Sequence, residues 1–340
     1  MRVALVAPWG KWVRCGIRTY SEELARALAR QGTDVWVVPH VRFGRPTPEY
    51  AEWLADRALS VGAPVIHVQH EYGIWGGLMN LGPFRDFVAR LKEAGAKVVV
   101  TMHSTGVVPP YEAEIVNIAD RVIVHNEFMR SRLGVSDKVA VIPHGASAVR
   151  HDPAEARERL GLPKDKVIVL HFGFIDFRKG TDLAIRAFRE ADPEDAVLVI
   201  AGGWHVEGET PYIRSVRGMV RGDSRIIMRG WVDDGEVDLY FSAADVVLQP
   251  SRAVSESGVV QKALAHGKPT VVLEHPAFRN RPVIQASPAT LPKVLRDLIA
   301  SPDLRRSVSS EALEYAKSVS WDRVASMHAS LYESLLSSIA

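Results

Sequence analysis

The stretch Val167–Gly180, with the sequence VIVLHFGFIDFRKG, combines an apolar strand, a glycine break and the start of a helix. Its first four residues predict a buried strand, the chain breaks at Gly173, and Arg178 and Lys179 open a helix predicted over Gly180–Glu190. A helix start presents free backbone N–H groups, and Lys179 adds a positive charge beside them, which suits a phosphate. The alternative is an ordinary solvated lysine in a first turn.

A second segment of the same kind follows at Pro250–Gly267, PSRAVSESGVVQKALAHG. It comes after an apolar strand at Asp245–Leu248, and a Ser/Gly loop leads into a helix predicted over Val259–His266. The N–H groups at that helix start would also suit an anion. A serine before a helix equally serves as an ordinary N-cap.

Short β-branched runs alternate with helical segments along the whole chain, which is typical of parallel strands buried on both faces. A length of 340 residues favours two domains, so we predict two doubly wound, Rossmann-like parallel sheets of the α/β class. The predicted strands are Val3–Ala7, Val35–Pro39, Val65–Gln69, Val98–Met102, Arg121–His125 and Val139–Ile142 in the first half, and Val167–His171, Ala196–Ala201, Arg225–Met228, Asp245–Gln249 and Pro269–Leu273 in the second.

The composition predicts a globular cytoplasmic protein, with 47% apolar and 24% charged residues and no apolar run long enough for a membrane span. The chain enters a strand at once, so we expect no signal peptide. The single cysteine, Cys15, fits a reducing compartment, and a net charge of +2 gives no reason to expect nucleic acid as a partner. Only four Asn and five Gln hint at a thermophilic source.

In their order, these segments resemble glycosyltransferase family four, the retaining GT-B enzymes of glycosyl transferase group 1. Further segments carry the resemblance: Met1–Gly10 (MRVALVAPWG) with Cys15-Gly16-Ile17, His67–Gly73 (HVQHEYG), Val98–Ser104 (VVVTMHS), Ala119–Asn126, Val139–Gly145, Arg229–Val232 (RGWV), Ala244–Gln249 and Ser320–Leu331. The resemblance implies two Rossmann-like domains facing a cleft. It implies an acceptor-binding domain at 1–148, a nucleotide-sugar-binding domain at 149–319, and a helix at 320–340 that crosses back to the first domain. The apolar stripe of that helix is predicted at Trp321, Val324, Met327, Leu331 and Leu335.

The resemblance also implies the roles of individual residues. His103 would lie against the donor sugar and Lys179 would neutralise the diphosphate, and both are the catalytic candidates. A strand-end histidine that caps a loop is the alternative for His103. The implied donor and phosphate contacts are Gly16, Gly173, Arg178, Lys179, Ser255, Glu256, Ser257, Gly258 and Val259. The implied acceptor contacts are Arg14, Arg18 and His70, and Trp231 would lie beside the base.

The chain departs from the family pattern at four positions. Cys15 replaces the first glycine of the usual pair, and Phe174 stands where the family has an arginine. The two glutamates of the family's E-x7-E pattern are Val254 and Lys262 here, which leaves Glu256 as the only carboxylate in the loop. How the ribose hydroxyls are held is therefore open.

Five histidines follow strand ends and invite a metal interpretation, but they lack helical ligand spacing and an accompanying carboxylate motif, so we expect neither metal nor cofactor. They are His40, His70, His103, His125 and His144.

The predicted function is retaining transfer of a hexose from a UDP- or GDP-sugar to a sugar, lipid or other hydroxyl acceptor, in the cytoplasm or at the inner face of a membrane. Peripheral membrane association is compatible with this function, and the oligomeric state is left open. Two alternatives remain, a degenerate module that binds sugar nucleotide without turnover and a sugar-nucleotide epimerase. A dinucleotide oxidoreductase is disfavoured, because no G-x-G-x-x-G follows either first strand.

Overall fold

The computed structural model describes residues 1–10, 13, 15–41, 46–78, 80–134, 136–204 and 210–337. The chain divides into two compact units, one formed by Met1–Gly145 with Val319–Ala340 and the other by Ala146–Ser318. Each unit contains a parallel six-stranded sheet with flanking helices, which confirms the predicted fold class. Within the described part of the chain, no helix has both the length and the apolar character that a membrane span requires.

The sheet of the first unit has the strand order β2-β1-β3-β4-β5-β6, and every neighbouring pair is parallel. Its strands are β1 Arg2–Pro8, β2 Asp34–His40, β3 Val65–His70, β4 Lys97–Met102, β5 Arg121–Val124 and β6 Val139–Val141. Its helices are α1 Gly16–Arg30, α2 Pro48–Leu59, α3 Gly82–Glu93, α4 Pro109–Ile118, α5 Glu127–Arg132 and α13 Trp321–Ser337.

Both faces of this sheet are covered, as its continuous apolar strands predict. On one face, β-strand side chains pack with Trp75, Phe84 and Phe87 around α2 and α3. On the other, Tyr20 and Leu24 of α1 pack with residues of α13. The strand ends and the loops that follow them therefore form one edge of the unit.

The buried face of α13 differs by one position from the predicted stripe. Trp321, Val324 and Leu335 are buried, but Met327 is 41% exposed. The neighbouring His328 and Tyr332 occupy the buried face instead. One polar atom of each side chain has a partner, since His328 Nδ1 lies 2.8 Å from the Val324 carbonyl and Tyr332 Oη lies 2.7 Å from His67 Nδ1. A stripe drawn from apolar residues alone therefore missed them.

The sheet of the second unit has the order β12-β11-β10-β7-β8-β9, again with parallel neighbours. Its strands are β7 Val167–Phe172, β8 Ala196–Ala201, β9 Ile226–Gly230, β10 Val246–Gln249, β11 Thr270–Leu273 and β12 Ile284–Ala286. Its helices are α6 Pro153–Arg159, α7 Thr181–Ala191, α8 Pro211–Val220, α9 Val237–Ala243, α10 Gly258–Ala265, α11 Leu291–Ala300 and α12 Pro302–Ser318. Strand β12 was not predicted.

The helix starts differ slightly from the predicted ones. Phe177–Lys179 forms a 3-10 turn capped by Asp176, whose Oδ1 accepts a hydrogen bond of 2.9 Å from the Lys179 backbone N–H. Gly180 then adopts a left-handed conformation with φ of 72°, and α7 begins after it. Lys179 therefore lies just before α7 rather than in its first turn.

Candidate functional site

The ammonium group of Lys179 marks the carboxyl edge of the second sheet. Its side chain is half-buried, and burial lowers its pKa, although Asp176 and Arg178 also act on it. The nearby Arg178 pairs with Asp176 at 3.2 Å and is 72% exposed. Lys179 makes no comparable ion pair with any residue that the structure describes. A partly desolvated cation that makes no direct ion pair among the described residues is a group that an anionic ligand would stabilise.

Contacts between two loops hold this lysine in place. A Cβ on Gly180 would lie 2.1 Å from the carbonyl oxygen of Pro250, so only glycine fits. The Arg252 backbone N–H donates to the Arg178 carbonyl at 2.7 Å. The Arg252 guanidinium binds both carboxylate oxygens of Asp182, at 2.8 and 2.7 Å, and lies 4.1 Å from the ring centre of Phe177. The loops after β7 and β10 therefore form one joined support.

Glycine backbone makes up the adjoining sheet edge. Gly202 has a φ of 142°, and a Cβ there would lie 1.9 Å from the Gly173 carbonyl oxygen. A Cβ on Gly203 would lie 3.2 Å from the ring of Trp231. Trp231 is 37% exposed, and its ring centre lies 6.0 Å from that of Phe174. The strand ends thus pack backbone against backbone, with a partly exposed aromatic pair beside them.

The start of α10 adjoins the same edge. A Cβ on Gly173 would be 3.6 Å from Val259 Cγ2, so the first turn of α10 is close to the end of β7. Ser257 caps the helix by accepting a hydrogen bond of 3.3 Å from the Val260 N–H, and Gly258 is exposed. The structure therefore brings together Gly173 and Val259 from the predicted phosphate contacts. Ser255 is half-buried in the loop before Ser257.

Glu256, a predicted ligand contact, forms a buried ion pair in this structure. Its carboxylate accepts hydrogen bonds from Arg281 Nη1 at 2.6 Å and Nη2 at 2.5 Å, and from the Ser257 N–H at 2.8 Å. The two side chains are only 4% and 5% exposed. Burial alone would lower the pKa of Arg281, but the carboxylate of Glu256 raises it above its usual value. Sequence analysis missed Arg281, which lies 25 residues further along the chain.

Lys262, at one of the family's glutamate positions, belongs to a separate charged cluster. Its Nζ lies 2.9 Å from Asp238 Oδ1, and His266 Nε2 lies 2.7 Å from the same oxygen. Burial raises the pKa of Asp238, but the bonds from His266 and Lys262 outweigh it and lower that pKa to about 2. Val254, at the other position, is half-buried and packs against an apolar cluster.

His103 is the main candidate of the first unit, where it follows β4. Its Nε2 lies 2.8 Å from Gln69 Oε1, its Nδ1 lies 3.4 Å from His125 Nε2, and its backbone N–H donates to the His70 carbonyl at 3.0 Å. Burial above all, and the neighbouring histidines as well, lower its pKa well below the usual value. The ring is therefore neutral at physiological pH.

The predicted acceptor contacts are buried or outside the described residues. The Arg18 side chain is 6% exposed and pairs with Glu22 at 3.2 Å. His70 has no exposed surface, and its Nε2 lies 3.1 Å from Tyr111 Oη. Arg14 lies outside the described residues. A cavity of about 360 Å³ adjoins Tyr111 at this edge, lined also by Leu81, Gly82, Arg85, Val108, Pro110 and Glu114.

The loop that leads into α1 contains Cys15 and Gly16. Gly16 is the first residue of α1, is exposed, and has open space where a Cβ would stand. Cys15 precedes the helix, and burial raises the pKa of its thiol. A raised pKa is the opposite of what a nucleophilic thiolate needs. No group of three or more His, Cys, Asp or Glu side chains within the described ranges is arranged to hold a metal ion.

Comparison with protein families and curated proteins gives consistent results. The family described as Glycosyl transferases group 1 matches residues 166–291. D-inositol 3-phosphate glycosyltransferase of Streptomyces coelicolor is 28% identical over 327 residues, covering 84% of this chain and 66% of the relative. The enzyme of the same description from Streptomyces scabiei is 30% identical over 250 residues, covering 65% and 55%. The chain thus spans between about half and two thirds of these relatives.

Solved structures share the fold over nearly the whole chain. Sucrose-phosphate synthase from Thermosynechococcus elongatus superposes with a TM-score of 0.79 at 20% identity, covering 99% of both chains. HepE of Anabaena, in complex with UDP and glucose, gives a TM-score of 0.74 at 16% identity, covering 98% of this chain and 100% of that one.

Proposed function

This chain belongs to the group 1 glycosyltransferases, and we propose that it transfers a hexose from a nucleoside diphosphate sugar to a hydroxyl acceptor with retention of configuration. The observation that carries the proposal is Lys179, a half-buried ammonium held on a rigid loop at the carboxyl edge of a parallel sheet. This edge is where ligands bind in open α/β sheets. The UDP and glucose in the HepE complex support a uridine or related donor.

Lys179 acts on the leaving group. As the bond between the sugar and the diphosphate breaks, negative charge grows on the phosphate oxygen, and a nearby ammonium stabilises that charge more than it stabilises the ground state. The N–H groups at the start of α10, beside Gly173, add a second source of positive potential. The departing phosphate takes the proton of the acceptor hydroxyl, so the protein supplies no base.

Other residues, only some of them predicted from the sequence, have supporting roles. The glycines at 173 and 202 let the diphosphate approach the backbone closely, and Trp231 with Phe174 offers an apolar surface for the base. His103 contributes a neutral ring on the sugar side, which does not repel the positive charge that develops on the sugar. The cavity beside Tyr111 is the proposed acceptor subsite.

The test is a panel of nucleotide sugars and hydroxyl acceptors, in which release of nucleoside diphosphate and formation of the glycoside are both measured. Lys179→Ala should raise the activation free energy by about 2–4 kcal/mol, because one charge-stabilising contact is lost. The value of kcat/KM should therefore fall on the order of 30- to 1,000-fold. Lys268→Ala is the matched control. Lys268 is also a half-buried lysine with a pKa lowered by burial, to about 8, but it lies two residues before β11, at the opposite edge of the sheet. Equal effects of the two substitutions would contradict the assignment of Lys179.

Binding without turnover is the second candidate. It is favoured by the loss of both family glutamates and by the engagement of Glu256 with Arg281, which leaves the loop without an available carboxylate among its described contacts. The comparisons favour transfer over this alternative. Calorimetric binding of UDP or GDP with no product from any pair of donor and acceptor would establish the second candidate instead.

A further inference from the structure

A series of polar side chains runs through the interior of the first unit, from α13 to the end of β5. Tyr332 Oη lies 2.7 Å from His67 Nδ1, and His67 Nε2 lies 3.3 Å from the Gln69 amide. The other end of that amide lies 2.8 Å from His103 Nε2. His103 Nδ1 lies 3.4 Å from His125 Nε2, and His125 Nδ1 lies 3.1 Å from the Ile142 carbonyl oxygen. We call these five side chains the histidine relay.

Only one member of the relay reaches the surface. Tyr332 and His67 are fully buried, and Gln69 and His125 are each 1% exposed. His103 is half-buried, so it is the position at which the relay can meet a ligand. Burial lowers the pKa of His67 as well as that of His103, so these two rings are uncharged at physiological pH.

The positions of the protons follow from the end of the relay at Ile142. A carbonyl oxygen only accepts, so His125 carries a proton on Nδ1, and in its neutral form it presents an unprotonated Nε2 to His103. The contact between the two rings is a hydrogen bond only if His103 donates from Nδ1. His103 Nε2 is then unprotonated in the neutral ring, and it needs a donor.

Gln69 can supply that donor. The structure has Gln69 Oε1 toward His103 and Gln69 Nε2 toward His67, but a half-turn of the amide exchanges these two atoms without moving any other group. The amide N–H then donates to His103, and Oε1 accepts from His67 Nε2. His67 Nδ1 accepts in turn from the Tyr332 hydroxyl, and Thr101 Oγ1, 2.7 Å from His67 Nε2, can accept as a second partner. Each contact of the relay then joins one donor to one acceptor, and no side chain in it needs to carry a charge.

We propose that the histidine relay fixes His103 as the tautomer protonated on Nδ1, and that Gln69, His67 and Tyr332 are positioning residues for the sugar-side face of the site. The donors run in one direction, from Tyr332 through His67 and Gln69 to His103, then to His125 and the Ile142 carbonyl. The positioning role rests on the proposed function of His103, whereas the tautomer assignment does not. The relay ties the half-buried ring of His103 to a helix whose Tyr332 lies 265 residues from His67 in sequence.

The primary test reads the tautomers directly. In protein labelled with ¹⁵N-histidine, long-range ¹H–¹⁵N correlation spectra at neutral pH should show His103 and His125 protonated on Nδ1 and His67 protonated on Nε2. The resonances are assigned by comparison with single-histidine variants. A His103 ring protonated on Nε2, or on both nitrogens, would overturn the relay whatever the activity of the protein.

The second test breaks the relay at two points. Gln69→Met should move the Nε2 resonance of His103 downfield, because its lone pair loses a donor. Gln69→Met and Tyr332→Phe should each lower kcat/KM about three- to tenfold, the effect of one lost buried hydrogen bond. Tyr50→Phe is the control for Tyr332→Phe, since Tyr50 Oη lies 3.3 Å from His40 Nδ1 outside the relay, and it should leave kcat/KM unchanged.

The outcomes separate the proposals. The predicted tautomers with unchanged kcat/KM in folded Gln69→Met and Tyr332→Phe would refute the positioning role. The predicted tautomers in a wild-type protein that transfers no sugar would support the relay and refute the proposed function. If a variant does not fold, the wild-type spectrum still decides the tautomer assignment.

Discussion

Removing the carboxylate of Glu256 should destabilise the second unit far more than it weakens nucleotide binding. The Glu256→Ala substitution leaves the guanidinium of Arg281 buried at 5% exposure, without the two bonds of 2.6 and 2.5 Å that now satisfy it. Breaking a buried ion pair from one side typically costs about 3–5 kcal/mol. Loss of a favourable charge at a helix start costs only about 0.3–1 kcal/mol.

The assay is denaturant unfolding combined with calorimetry. We expect the free energy of unfolding to fall by about 3–5 kcal/mol, which corresponds to a Tm lower by roughly 6–20 °C for a domain of this size. The double variant Glu256→Met with Arg281→Met should recover most of the loss, because apolar residues can replace a buried pair. Titration with UDP and GDP, below the transition, should give affinities within about threefold of wild type. An unchanged Tm with nucleotide affinity weakened tenfold or more would refute the structural role and indicate that Glu256 contacts the ligand.

Three further predictions concern other parts of the molecule. Gly202→Ala should destabilise the second unit by at least about 2 kcal/mol and weaken nucleotide binding, since its Cβ would lie 1.9 Å from the Gly173 carbonyl oxygen. Denaturant unfolding measures the loss of stability. Gly218→Ala is the control, because a Cβ there meets nothing within 4 Å. The pKa of Asp238 is lowered to about 2, so the native state binds fewer protons there than the unfolded state, and about 2 kcal/mol of stability should be present above pH 4 and disappear between pH 4 and 2. In Asp238→Asn that part of the acid sensitivity should be absent from unfolding curves, and an unaltered pH profile would contradict the ion-pair argument. Turnover should survive a chelator, because Lys179 and N–H groups supply the positive charge; loss of activity that one added metal restores would disprove this.

The architecture could be predicted because its strands are buried on both faces. Ala196–Ala201 is an unbroken apolar run with every residue buried, and such a run has few other interpretations. Strand β12 was not predicted, because it has only three residues and its central residue, Gln285, is exposed and polar. Met327 was assigned to the buried face of α13 because periodicity counts apolar residues and has no means of recognising a buried tyrosine or histidine with a partner elsewhere.

The candidate site was predictable only where its chemistry is local. Lys179 follows a strand and a glycine within a few residues, so the sequence itself shows the combination. The partner of Glu256 lies 25 residues away, and Gln69 lies 34 residues from His103. Pairings of this kind depend on which strands become neighbours, and no local pattern records them. For the same reason the family resemblance identifies His103 as a candidate, but it does not predict the hydrogen bonds that its ring makes.

The discontinuity of the first unit has a consequence for biosynthesis. Residues up to Gly145 leave the ribosome first, yet α13, which covers Tyr20, Leu24 and Val65 on one face of their sheet, is made only after Ala146–Ser318. At ordinary rates of synthesis that interval lasts roughly 10–35 s. During it the nascent sheet presents an uncovered apolar face and the imidazole of His67 lacks its tyrosine partner. Of the two units, the one whose synthesis starts earlier is thus completed later. Nascent chains arrested before Trp321 should bind chaperones, and proteases should cleave them more readily than they cleave the finished protein.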